Sequence, residues 1–208
     1  MAQFFSVHPV NPQPRLLKQA AGLLRQGALL AIPTDSSYAI VAALDDKQAA
    51  DALRQLRGID ERQHLTLLAR DLADLGQLAR VDNRQYRLLK AGTPGPFTFI
   101  MEATREVPRR LSHPSRKTIG LRVPDHPVTL ALLAETGPLL SSTLIPAGET
   151  EPLNDAEEIR ARYEHQLAGV IEGGACPGRP TTVLDLTGHE ATVVRLGGGD
   201  PAKLGLSL

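Results

Sequence analysis

Three hydroxyl-bearing stretches sit beside short apolar runs in this chain. Thr34-Asp35-Ser36-Ser37-Tyr38 follows Ala28 to Ile32, Ser141-Ser142-Thr143 follows Leu139-Leu140, and Thr181-Thr182 directly precedes Val183. Alcohol side chains hydrogen-bond the oxygens of an anion. Arg122 and Arg195, within or at the end of other apolar runs, add planar forks that match a carboxylate or a phosphate. Hydroxyls and arginines together are the makings of a site for phosphate or carboxylate oxygens. Ser36, Ser37 and Ser142 equally fit turns in which a hydroxyl bonds its own backbone, and both readings stand at this point.

A second concentration of charge lies further along. Of the 23 Lys and Arg residues, six (Arg105, Arg109, Arg110, Arg116, Lys117 and Arg122) fall between Arg105 and Pro124, against the single acid Glu106. The formal net charge of the chain is zero, so a local positive patch implies a localised anionic partner such as a phosphate, a carboxylate or a nucleic-acid backbone. For any one of these residues, simple solvation of an exposed loop is the competing account.

The elements that must position these residues alternate. Phe4 to Val7 reads as a strand, a helix runs from Asn11-Pro12 to Gly27, Ala28 to Ile32 is a buried strand, Asp46 to Arg57 a helix, and Leu65 to Ala69 a strand. Asp82 caps a helix ending near Gly92, and Phe97 to Glu102 and Thr118 to Val123 are strands. A helix capped by Asp125 with Pro127 in its first turn leads to a strand at Leu139 to Ser141. Asn154 with Glu157 resembles a capping box for a helix to His165, and Val170 onward, Thr182 to Asp185 and Ala191 to Arg195 close the sheet. The expectation is a single α/β domain over residues 1–208, with a twisted, open, mixed and largely parallel sheet flanked by helices. In such sheets ligands bind beyond the strand ends, where the hydroxyls and arginines fall.

Composition narrows the partners. Aromatic residues make up 3% of the chain and there is no Trp, which leaves little for base stacking. The six histidines lack ligand-like spacing and Cys176 is the one cysteine, so neither a structural metal nor an internal disulfide is expected. No window approaches eighteen consecutive apolar residues and no leader pattern opens the chain, so the expectation is a cytoplasmic protein without a membrane partner. The chain lacks both Gly-x-x-x-x-Gly-Lys-Ser/Thr and Gly-x-Gly-x-x-Gly, so side-chain cations would have to cradle any nucleotide. Gly197-Gly198-Gly199 reads as a flexible turn.

Five segments, taken jointly, resemble the YrdC family and its YciO branch most of all. They are Ile32 to Tyr38, Thr93-Pro94-Gly95-Pro96-Phe97-Thr98, Thr118 to Pro127, Pro138-Leu139-Leu140-Ser141-Ser142-Thr143 and Pro180 to Asp185. The resemblance implies a twisted α/β fold with a positively charged concave surface. It also implies binding of double-stranded RNA or tRNA, and a reaction joining L-threonine, bicarbonate and ATP into threonylcarbamoyl-AMP with loss of pyrophosphate, a step toward threonylcarbamoyladenosine in tRNA. Carried over by position, Thr34, Tyr38, Thr118, Arg122 and Thr181 would bind the threonine or its carbamate, and Arg57, Ser141, Thr143 and Arg195 the nucleotide. Arg57, Thr34 and Arg122 would carry catalysis, with ATP as substrate and Mg²⁺ on its phosphates. The RNA surface would be Arg105, Arg109, Arg110, Arg116 and Lys117.

Two positions depart from active members of that family. Their Lys-x-Arg pair corresponds to Arg57-Gly58-Ile59, and their Ser-x-Asn to Thr143-Leu144-Ile145. One cation and one amide are thus replaced by isoleucines. Loss of a buried hydrogen-bonding partner costs about 1–3 kcal/mol, and loss of a transition-state donor about 10²–10³ in rate. The resemblance therefore implies a synthase activity that is weak or diverged, with Arg62 and His64 as nearby substitutes. A non-catalytic RNA-binding module and an enzyme acting on another carboxylate or phosphate metabolite are the alternatives.

Overall fold

The computed structural model describes residues 1–207. Ten strands form one sheet: β1 (Gln3–Ser6), β2 (Leu30–Ile32), β3 (Ala39–Ala43), β4 (Thr66–Leu68), β5 (Phe97–Glu102), β6 (Thr118–Arg122), β7 (Leu139–Thr143), β8 (Gly169–Glu172), β9 (Thr182–Asp185) and β10 (Thr192–Arg195). Their spatial order is β1-β8-β2-β3-β7-β4-β6-β5-β9-β10. Six helices accompany them: α1 (Pro14–Arg25), α2 (Lys47–Arg57), α3 (Leu72–Leu78), α4 (Asn83–Gly92), α5 (Pro127–Thr136) and α6 (Ala156–Tyr163). The sheet is open and mixed as expected, but four of the nine pairings are parallel and five antiparallel, a smaller parallel share than the sequence suggested. Short returns such as Pro33 to Tyr38 between β2 and β3 force an antiparallel neighbour, because a parallel one needs a long crossover.

Local chemistry explains most boundaries. Asp46 accepts from the Ala49 amide at 2.9 Å to open α2, and Gly58 in the left-handed region closes it. Asp82 and Gln85 form a reciprocal capping box on α4. Two caps differ from expectation. His126, not Asp125, occupies the cap position of α5, where Pro127 makes the first turn and no side-chain bond is needed. Asp155, not Asn154, caps α6 by accepting from the Glu158 amide, which frees Asn154 Oδ1 to accept from the Tyr38 amide at 3.2 Å. β3 and α3 have no counterpart in the sequence reading.

Both faces of the sheet are packed. Leu17, Ala20 and Leu24 of α1 and Val128, Leu132 and Leu133 of α5 cover Leu30, Ile32, Val41, Leu68 and Leu139. Tyr38, Ile40, Leu67, Phe99, Leu121 and Leu140 belong to a larger cluster with α2, α4 and α6. Strand alternation puts Thr66 on the same face as Leu68, and Ser141 on the same face as Leu139. That face thus changes along its length from apolar residues covered by α1 and α5 to hydroxyls and arginines. No helix among the described residues is long and apolar enough to cross a membrane.

Candidate anion site at the strand ends

Pairing aligns Ser141, Thr66, Gly120 and Ile100 side by side across β7, β4, β6 and β5. Residues two apart share their face, which adds Thr98, Arg122 and Thr143, and β9 brings Val183 opposite Thr98. These residues, with Arg57, His64, Ser142, Ile145, Thr181 and Arg195, line a hollow of about 240 Å³. Gly120 keeps its floor open: a Cβ there would stand 3.0 Å from Thr66 Oγ1 and 3.2 Å from the Leu65 carbonyl. No acidic side chain lines the hollow.

Each guanidinium is held in place. Arg57, the last residue of α2, donates Nε to Ser142 Oγ at 3.0 Å and Nη1 to the Ile145 carbonyl. Arg195 donates Nε and Nη2 to the Thr181 carbonyl at 3.3 and 3.0 Å, while Thr181 Oγ1 and Thr98 Oγ1 bond each other at 2.8 Å. Arg122 is 6% exposed, donates Nη2 to Asp35 and Nη1 to Ser36 Oγ at 3.0 Å, and leaves Nε buried without a partner. Burial lowers its basicity, and the charge and hydrogen bond of Asp35 oppose that effect. The Oδ2 atom of Asp35 is also buried and unpartnered.

Six of the nucleotide- and substrate-site residues expected from sequence therefore converge: Arg57, Arg122, Ser141, Thr143, Thr181 and Arg195. Three do not line the hollow. Thr34 Oγ1 is used up by its own turn, donating to the Ser37 carbonyl at 2.6 Å and accepting from the Ser36 and Ser37 amides. Tyr38 is 1% exposed, and burial raises its hydroxyl pKa well above the usual range. Thr118 is reached through His64, whose Nε2 lies 2.8 Å from Thr118 Oγ1.

His64, Thr66, Thr98, Asp35 and Ile100 belong to the site or its support and were not assigned there from sequence, save His64 as a substitute. Period-two spacing from Ser141 and Arg122 was the signal that would have found Thr66 and Thr98, once strand pairing was known. Burial, with the neighbouring His113 and Arg116, holds the His64 pKa below its ordinary value, so it lines the hollow as a neutral ring and does not replace a missing cation. Arg62 is exposed and does not line it. Of the two departures, Ile145 faces the hollow, whereas Ile59 packs against the core.

The cationic stretch divides. Arg105, Arg109 and Lys117 are exposed and line another hollow. Arg116 is exposed nearer His64, and Arg110 turns inward to donate to the Leu44 carbonyl at 3.2 Å. The glycine triplet is a close approach more than a flexible turn, since a Cβ on Gly197 would fall 2.2 Å from the Pro180 carbonyl oxygen.

A profile of the Sua5/YciO/YrdC family, described as telomere recombination, matches residues 22–197. The chain belongs to this family. The crystal structure of Escherichia coli YciO is 44% identical, covers 98% of this chain and 100% of that one, and superposes with a TM-score of 0.94. A threonylcarbamoyl-AMP synthase of Chromohalobacter salexigens is 34% identical over 84% of this chain and 94% of its own length. The structure of P. abyssi Sua5 complexed with L-threonine is 25% identical, with a TM-score of 0.86, over 94% of this chain and 57% of that protein.

Proposed function

We propose that the strand-end hollow binds an amino-acid carboxylate and the phosphates of Mg²⁺–ATP, and supports a weak or diverged threonylcarbamoyl-AMP synthesis. The observation that carries this reading is the meeting of Arg57, Arg122 and Arg195 with Ser141, Thr143 and Thr181 around one cavity that no acid lines. Relatives named threonylcarbamoyl-AMP synthase and the L-threonine complex of P. abyssi Sua5 support the choice of substrate. In this reading the charge of Arg122 and the hydroxyl of Thr181 hold the carboxylate or carbamate. Arg57, Arg195, Ser141 and Thr143 take phosphate oxygens.

The neutral threonine amine bonds the carbon of bicarbonate, and the N–H proton it loses is relayed to the departing hydroxide, which leaves as water. Neutral His64 is the imidazole in the hollow able to accept that proton. A carbamate oxygen then bonds the α-phosphorus, the bond to the bridging oxygen breaks, and pyrophosphate leaves with the electron pair. Guanidiniums fixed beforehand by backbone carbonyls and hydroxyls would stabilise that charge without reorganising. Ile145 presents no hydrogen bond where an amide would, which is the physical ground for a weak rate.

Incubation of the purified chain with L-threonine, bicarbonate and Mg²⁺–ATP should release pyrophosphate slowly, in a threonine-dependent manner. No release at high protein concentration, together with no ATP binding by calorimetry, overturns the enzymatic reading.

A second reading, an RNA-binding surface, is favoured by the exposure of Arg105, Arg109, Arg116 and Lys117 on one connection. It requires duplex RNA affinity that falls steeply with salt and shows little base preference. RNA binding unchanged by charge reversal at Arg105 and Arg109 would exclude it.

A further inference from the structure

Beyond the Glu102 end of β5 lies a second hollow, of about 550 Å³, that shares no lining residue with the first. Arg80, Arg105, Arg109 and Lys117 enter it from three separate stretches of chain. Its one acid, Glu102, is 3.4 Å from Arg80 in an exposed pair at the rim, the kind of pair that contributes little and exchanges readily.

The backbone carrying these cations is fixed. Thr104 donates its amide to the Leu78 carbonyl at 2.9 Å, and its Oγ1 donates to the Gln77 carbonyl. The Arg80 amide donates to the Glu102 carbonyl at 3.0 Å, and Val107 and Leu111 are buried anchors of the loop between β5 and β6. Lys117 is the one non-glycine residue among those described with a positive φ, at 54°. A lysine in the left-handed region is strained, and such strain concentrates at ligand clamps. It is held there by its amide donating to the His113 carbonyl and its carbonyl accepting from the Ala103 amide.

Four cations gathered on a rigid frame repel one another unless an anion joins them. The cavity is roomy for a lone phosphate, and no aromatic ring lines it to hold a base. We propose that this hollow is a binding site for a short chain of linked phosphate groups, an inorganic oligophosphate in chemical class. It is independent of the synthase reading, and it differs from the RNA reading in requiring that a small free ligand bind.

The test is a titration of the isotope-labelled full chain with sodium tripolyphosphate at low ionic strength, followed by amide NMR and calorimetry. Amides of Arg80 and of the segment from Ala103 to Lys117 should shift. The double variant Arg105→Glu, Arg109→Glu should weaken the affinity read from these amides at least about tenfold, while Arg57→Ala with Arg195→Ala leaves their shifts unchanged. Both replaced sites are solvent-facing, and an otherwise unaltered amide spectrum verifies the fold of each variant. The proposal is overturned if tripolyphosphate at millimolar concentration moves none of these amides. It is equally overturned if the shifts map only to Arg57, Arg195 and their neighbours, or if short duplex RNA binds here and tripolyphosphate does not.

Discussion

The carboxylate of Asp35 closes onto Nη2 of Arg122 while Ser36 Oγ accepts from Nη1 at 3.0 Å, so both terminal nitrogens of a buried guanidinium are engaged inside the fold. Arg122 lines the hollow with its fork already committed to Asp35 and Ser36. Breaking this pair from one side strands a buried charge, which typically costs about 3–5 kcal/mol. Asp35→Asn should therefore lower the melting temperature by roughly 10 °C for a domain of this size. Arg122→Met added to it should restore most of the loss. Calorimetry that finds Asp35→Asn as stable as the parent would show the pair to be unimportant.

Arg195 is aimed by the Thr181 carbonyl and rests against no acid. Its removal should leave stability nearly intact and weaken ATP binding about 10–100-fold, the worth of a charged hydrogen bond. Calorimetric titration of Arg195→Ala with Mg²⁺–ATP measures this, and an unchanged affinity would take the nucleotide away from the hollow.

Acid should destabilise the fold through two imidazoles. Burial first, then His113 and Arg116, depress the His64 pKa against the opposing Asp185; burial depresses that of His126 against Asp35 and Asp125. Unfolded imidazoles bind protons near the ordinary 6.5, folded ones only below it, so the unfolded state gains protons first as pH falls. Their contribution is present above that ordinary value and is lost as pH drops through the folded values. The urea midpoint should fall between about pH 7.5 and 5, and less steeply in His64→Asn. An identical slope in that variant would contradict the assignment.

Ile145→Asn returns an amide to the lining of the hollow, whereas Ile59→Arg alters a side chain packed on the core. The first should raise threonine-dependent pyrophosphate release on the order of 10-fold or more, since a single transition-state donor is worth 10²–10³ where it is fully aligned. The second should mainly lower stability. Equal rates in Ile145→Asn and the parent would mean that the missing amide does not limit turnover.

Much of this arrangement was legible before any coordinates. Arg57, Arg122, Ser141, Thr143, Thr181 and Arg195 converge because each lies at or near the end of a recognisable helix or strand. Thr34 stands outside the lining, and a hydroxyl beside a turn looks alike in sequence whether it faces a ligand or bonds the Ser37 carbonyl. β3 was hidden because Ala39 to Ala43 is short and uniformly apolar, without the alternation that marks a half-exposed strand. Six cations within twenty residues read as one patch in linear order, yet the 3-10 turn at Arg109–Leu111 sends Arg109 to one side and Arg110 toward the Leu44 carbonyl. Pairwise register, which brought Thr66 beside Ser141 and Gly120, depends on contacts between distant segments and has no local signature.

A crystal grown with L-threonine, bicarbonate and a non-hydrolysable Mg²⁺–ATP analogue tests the central claim most directly. The account predicts ligand density between Arg57, Arg122 and Arg195 over the floor made by Gly120, with the carboxylate or carbamate on the Arg122 and Thr181 side. Ligands bound away from that floor, or a hollow left vacant at saturating concentrations, would contradict it.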